Sequence, residues 1–150
     1  MQKSKISKFI SILLNITLIG GTICLFILPK LYDLFITPDI PTFNNHNISY
    51  QIAFYLCYII CLIIIYQLIK IFNHIYKNSP FEKIIEKTLK IIAILFMLLS
   101  LIIFIKTIFI PTILSFAVIV VAFIASLSFY VLSQIFKVAI EHKNELDYTV

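Results

Sequence analysis

Four long apolar runs organise the chain. They cover about residues 9–28, 51–72, 91–109 and 112–136, with polar or turn-forming residues between them. Each run reaches or nearly reaches the ~20 residues that a helix needs to cross the hydrocarbon core of a bilayer. Ile is abundant in them, and in water such β-branched runs favour strands. In lipid, only helices and closed barrels satisfy every backbone polar group, and barrel strands alternate apolar with polar side chains. These runs do not alternate, so they predict helices. The expected fold class is all-α: one integral membrane domain over 1–150, a polytopic transmembrane bundle of four helices.

The connections complete the plan. An outer loop at 29–50 carries Pro29, Pro38, Pro41, Asn44, Asn45 and Asn47, residues that break helices and favour turns. A second loop spans 73–90 and a tail spans 137–150. Runs three and four are joined at Ile110-Pro111, so they predict a tight hairpin with Lys106 snorkelling to the outer surface. The first run follows Lys3, Lys5 and Lys8, as a secretory signal would. It is long and no small-residue cleavage site follows, so it reads as an uncleaved anchor.

Composition removes the alternatives. Hydrophobic residues make up 61 % of the chain and charged residues 13 %, with a mean hydropathy of +1.06. That excludes a soluble domain and a disordered chain alike.

Charge then sets orientation. All twelve basic residues are Lys. Ten of them lie at the N-terminus, in 73–90 or its flank, and in the tail; Lys30 and Lys106 lie on the other side. The positive-inside rule therefore predicts both termini in the cytoplasm. The missing Arg, beside many Ile, Lys and Asn, is the codon bias of an AT-rich genome and points to a bacterial cell membrane. Because the Lys residues flank apolar runs, their expected partner is the anionic inner leaflet; direct binding to nucleic acid is not expected.

Catalytic chemistry finds no foothold. The middles of the runs hold no ionisable group, which argues against an ion-coupled transporter. His46, His74 and His142 are scattered, and Cys57 and Cys61 share a helix face without a further ligand nearby. No catalytic, metal or cofactor residue is predicted, and the expectation is a protein that is not an enzyme.

Three local patterns remain. In Ser79-Pro80-Phe81-Glu82, Ser79 is placed to cap a helix, Pro80 fits its first turn, and Glu82 is placed to close a capping box. This predicts a short amphipathic helix before the third span. Its apolar face reads either as a docking or lipid-sensing surface or as an ordinary approach to the membrane. Ser115, Ala122, Ser126 and Ser133 form a small-residue stripe, which reads either as packing inside one bundle or as a homodimer face. Finally, the closing residues Glu145, Leu146, Asp147, Tyr148, Thr149 and Val150 follow Glu141 and Lys143; the last ten residues are net −3 with the terminal carboxylate. Leu146, Tyr148 and Val150 alternate with polar neighbours, as in an extended segment that adds to a sheet edge or offers its carboxylate to a partner. The competing reading is a frayed, solvated end.

Two of these patterns carry a resemblance. The stretch Asn78-Ser79-Pro80-Phe81 with Glu82, and the ending Glu145 to Val150, resemble a family of small bacterial membrane proteins known as domain of unknown function 2975. That family has a Pro-Phe motif followed by an acidic residue and an acidic ending; Tyr148 stands where Leu is usual, and Lys87 and Lys90 stand where Arg is frequent. The resemblance implies no activity. It implies a context, since such proteins are often encoded beside a small helix-turn-helix regulator. The expected function is a membrane anchor, sensor or sequestering partner of that regulator. The alternative is a small channel or permease subunit.

Overall fold

Inside lipid, an apolar run must close its own backbone hydrogen bonds, and helices do this within one segment. The computed structural model describes residues 2–35, 47–77 and 82–148. They form four helices: α1 (Gln2–Phe35), α2 (Asn47–Lys77), α3 (Lys83–Phe109) and α4 (Ile113–Tyr148). All four are long and apolar enough to cross a membrane. The chain is a multi-pass membrane protein.

Every helix outruns the apolar stretch that predicts it. Pro29 lies within α1 and does not open a loop there. It costs the helix one backbone hydrogen bond, which helices in membranes tolerate. The expected 29–50 loop is therefore helical up to Phe35 and again from Asn47; residues 36–46 lie outside the described residues. The 73–90 loop shrinks in the same way, because α2 continues to Lys77 and α3 begins at Lys83.

The tail is the largest departure. Its period-2 pattern predicts an extended segment, yet α4 continues as helix to Tyr148. Once a helix exists, adding a residue costs much less than nucleating a new one. From Phe136 to Tyr148 no Gly or Pro interrupts it, and Glu, Lys, Ala and Leu are good helix formers.

Packing follows chain order: α1 against α2, α2 against α3, α3 against α4. Neighbours are antiparallel, so both described chain ends share one end of the bundle, here the terminal end. The α3–α4 contact is the most extensive, and hydrogen bonds fix its register. Ser133 Oγ donates to the Glu86 carbonyl at 3.3 Å, Ser126 Oγ to that of Ala93 at 2.8 Å, and Ser100 Oγ to that of Ile119 at 3.4 Å. Each step of seven residues along one helix is matched by seven along the other. This heptad spacing keeps one seam of each helix facing its partner. The short serine side chains let the backbones approach closely enough for a hydroxyl to reach across.

The apolar core lies beside this seam, at the terminal half. Ile64 and Ile71 of α2 meet Ile85, Leu89 and Ile92 of α3, with Phe129 and Phe136 of α4 packed around them. Phe96 and Phe129 stack with ring centroids 5.6 Å apart. Helix α1 is peripheral: Ser11 is its single buried side chain among the described residues. It is held to α2 by Ser11 Oγ donating to Asn73 Oδ1 at 2.6 Å and Tyr58 donating to the Gly21 carbonyl at 2.7 Å. A Cβ on Gly21 would stand 2.7 Å from Leu62 Cδ2, whereas one on Gly20 would meet nothing within 4 Å. Gly21 is therefore the point where α2 approaches α1 closely, and a side chain there would make Leu62 shift.

Candidate functional site

Because the serine register is fixed, it shows how far α4 overshoots its partner. Ser133 is level with Glu86, and α3 begins three residues earlier at Lys83. Helix α4 passes that level near Phe136 and runs on to Tyr148, about twelve residues or roughly 18 Å further at 1.5 Å per residue. Its last eight residues, 141–148, form an arm, while Ile140 before them is still buried. All residues from Glu141 to Tyr148 are exposed, including Leu146 and, at 92 %, Tyr148.

The arm is anionic for two reasons. Glu141, Glu145 and Asp147 outnumber Lys143. The unpaired carbonyls of a helix C-terminus also carry partial negative charge, which a basic last turn would offset; α4 has no basic residue there. Glu141, Glu145 and Tyr148 fall on one face at i, i+4, i+7 spacing. His142 Nδ1 lies 3.6 Å from the Glu145 carboxylate, a pair too exposed to contribute much. Thr149 and Val150 lie outside the described residues. At the base of the arm a cleft of about 380 Å³ lies between α3 and α4, lined by Lys83, Lys87 and Lys137 with Glu86 and Glu141. Three lysines against two glutamates make this cleft net positive, below the acidic last turns.

Of the expected capping box, only Glu82 lies among the described residues. Glu82 is itself the N-cap of α3, with extended backbone (φ −120°, ψ 148°), and is not the third residue of an earlier helix. Its side chain makes no cap hydrogen bond; its Oε2 lies 2.7 Å from His74 Nε2. That contact ties the end of α2 to the start of α3. Ser79, Pro80 and Phe81 lie outside the described residues. The amphipathic stretch is continuous with the third span; of its apolar face, Ile85, Thr88, Leu89 and Ile92 are buried in protein, Ile84 is exposed, and Phe81 lies outside the described residues.

The small-residue stripe faces α3. Ser115, Ala122, Ser126 and Ser133 are all buried, and Ile140 extends the series by another seven residues. Ser126 and Ser133 are spent on α3 carbonyls, so this stripe is inside the bundle.

One arrangement was not legible in the sequence. Lys106, in the last turn of α3, does not simply extend to the surface. Its Nζ donates to Ser115 Oγ at 3.2 Å and lies 4.7 Å above the Tyr50 ring, a cation–π contact. Thr112 accepts the Ser115 backbone N–H at 3.3 Å, which caps α4 and holds Ser115 in place. Two apolar cavities flank Lys106, of about 250 and 420 Å³, and Tyr50, Ala53 and Lys106 line both. The only available signal was a cation three residues inside a helix end.

Among the described residues, no three His, Cys, Asp or Glu side chains gather into a metal-binding group. No curated protein and no solved structure matches the chain. Residues 34–150 match the family described as protein of unknown function (DUF2975), and the chain belongs to that family. The match includes all of α2, α3, α4 and the arm.

Proposed function

We propose that this protein is a non-enzymatic membrane anchor that holds a small cytoplasmic regulator through the α4 arm. The observation that carries the reading is the overshoot of α4. A 36-residue helix is about 54 Å long, against roughly 30 Å of hydrocarbon. The last part of that excess, residues 141–148, is exposed and acidic, where a soluble protein can reach it.

Orientation supports the same reading. The terminal end of the bundle carries ten of the twelve Lys, so the positive-inside rule sets it in the cytoplasm of a bacterial cell. Anionic lipid attracts the lysines of the cleft, with about 1 kcal/mol per Lys near the surface, and repels the acidic tip of the arm. The tip is thereby kept in water. A DNA-binding regulator presents a basic face to phosphate, and an acidic helix with Leu146 and Tyr148 as apolar anchors competes for that face. The helix-turn-helix class of partner comes from the family resemblance; the charge argument is independent of it.

Pull-down from native cytoplasm tests the reading. Full-length protein, a form lacking Leu146–Val150, and Glu141→Lys/Glu145→Lys/Asp147→Lys are compared at low and high salt. The expected result is a helix-turn-helix protein retained by the full-length form, lost from both variants, and released by salt. Equal recovery of every partner by all three would leave the arm without a role.

A further inference from the structure

We propose that the two cavities beside Lys106 form a site for one anionic phospholipid, its phosphate on the Lys106 ammonium and its acyl chains in the flanking grooves. This site lies at the end of the bundle opposite the arm and is independent of the anchoring role.

The position comes first. Lys106 is three residues from the end of α3, so its ammonium sits where a span meets the headgroup layer. The charge comes next. No carboxylate among the described side chains lies within ion-pairing distance of it, and its two described partners, a hydroxyl and an aromatic ring, are neutral. A Lys ammonium has three donors, and Ser115 takes one. Among the described residues, the arrangement therefore aims a cation without neutralising it. A phosphate oxygen supplies the missing charge, and Ser115 and Thr112 bring hydroxyls to the same place.

The grooves identify the rest of the ligand. One passes between α2 and α4, past Phe54 and Val118; the other passes between α2 and α3, past Leu56 and Ile102. Both begin at Lys106. Their outer walls include Ile52, Ile105 and Leu114, which are exposed on the flank of the bundle and so face lipid tails. A ligand enters sideways from the bilayer. An amphiphile with an anionic head and two apolar chains matches one cation with a groove on each side. A water-soluble anion would leave both grooves empty, and a zwitterionic lipid would bring a cationic group beside Lys106 together with its phosphate.

Ala53 lines both grooves, which gives a variant that keeps the charge and blocks the chains. Full-length protein is purified in mild detergent with phosphatidylglycerol or phosphatidylcholine, and retained lipid is counted by native mass spectrometry. Wild type is expected to keep one phosphatidylglycerol over phosphatidylcholine. Lys106→Gln and Ala53→Phe should each lower that retention about five- to tenfold, from the loss of one Lys–lipid attraction or of the chain seats. Lys106→Arg should keep it, which separates lost charge from lost fold. Lys137→Gln, at the terminal end, should not change it. Equal retention of the two lipids by wild type would overturn the proposal, as would unchanged retention in both Lys106→Gln and Ala53→Phe. Displacement of the lipid by millimolar inorganic phosphate would show a soluble-anion site instead.

Discussion

Replacing Ser133 with Leu should destabilise the α3–α4 hairpin by about 2–4 kcal/mol. Ser133 is fully buried, and its hydroxyl reaches the Glu86 carbonyl across the seam. Overpacking a tight contact costs about 1–3 kcal/mol. The lost interhelical hydrogen bond adds roughly 0.6 kcal/mol, the average measured inside membranes. Ser133→Ala isolates the second effect and should cost about 0.6 kcal/mol or less. Ser128 provides the control, since its hydroxyl bonds Ile124 of its own helix and it faces outward. Ser128→Leu should be near neutral. Unfolding by SDS in mixed micelles measures all three. A Ser133→Leu protein as stable as Ser128→Leu would mean that the seam is loose.

Truncating Ile92 to Ala should cost about 2 kcal/mol, the low end of the range for buried Ile truncations. Ile92 is at 0 % exposure in the core where α2, α3 and α4 meet. In water the loss would include the transfer of the side chain out of solvent. In a membrane the separated helices keep their apolar side chains in lipid, so only packing and cavity effects remain. Ile94→Ala, two positions along on the exposed side, should change little. The same SDS titration reads both, and equal effects would place the core elsewhere.

Much of the fold was legible because lipid leaves a chain few options. Apolar length and the absence of alternation fixed four helices, and the 7-4-7 spacing of Ser115, Ala122, Ser126 and Ser133 marked a close-packed face. What that face packs against was not legible, because a homodimer and a hairpin need the same small residues. Helix ends are poorly marked in this sequence. Pro29 and the alternation of Leu146 with Tyr148 both suggest an end, but a formed helix absorbs one Pro and propagates through residues that contain no breaker. Nor was the partner of Glu82 legible: His74, eight residues before it, meets its carboxylate, a pairing that depends on how the two helices approach. Lys106 shows the same limit, since Tyr50 and Ser115 meet it only after three helices have packed.

The anchoring role requires the arm to stand in the cytoplasm. Single cysteines at Asn144 on the arm and Ser49 at the start of α2, in a protein with Cys24, Cys57 and Cys61 replaced by Ser, test this in intact cells. A membrane-impermeant maleimide should label Ser49→Cys at once and Asn144→Cys only after permeabilisation. Labelling of Asn144→Cys in intact cells, with Ser49→Cys protected, would put the arm outside and contradict the account.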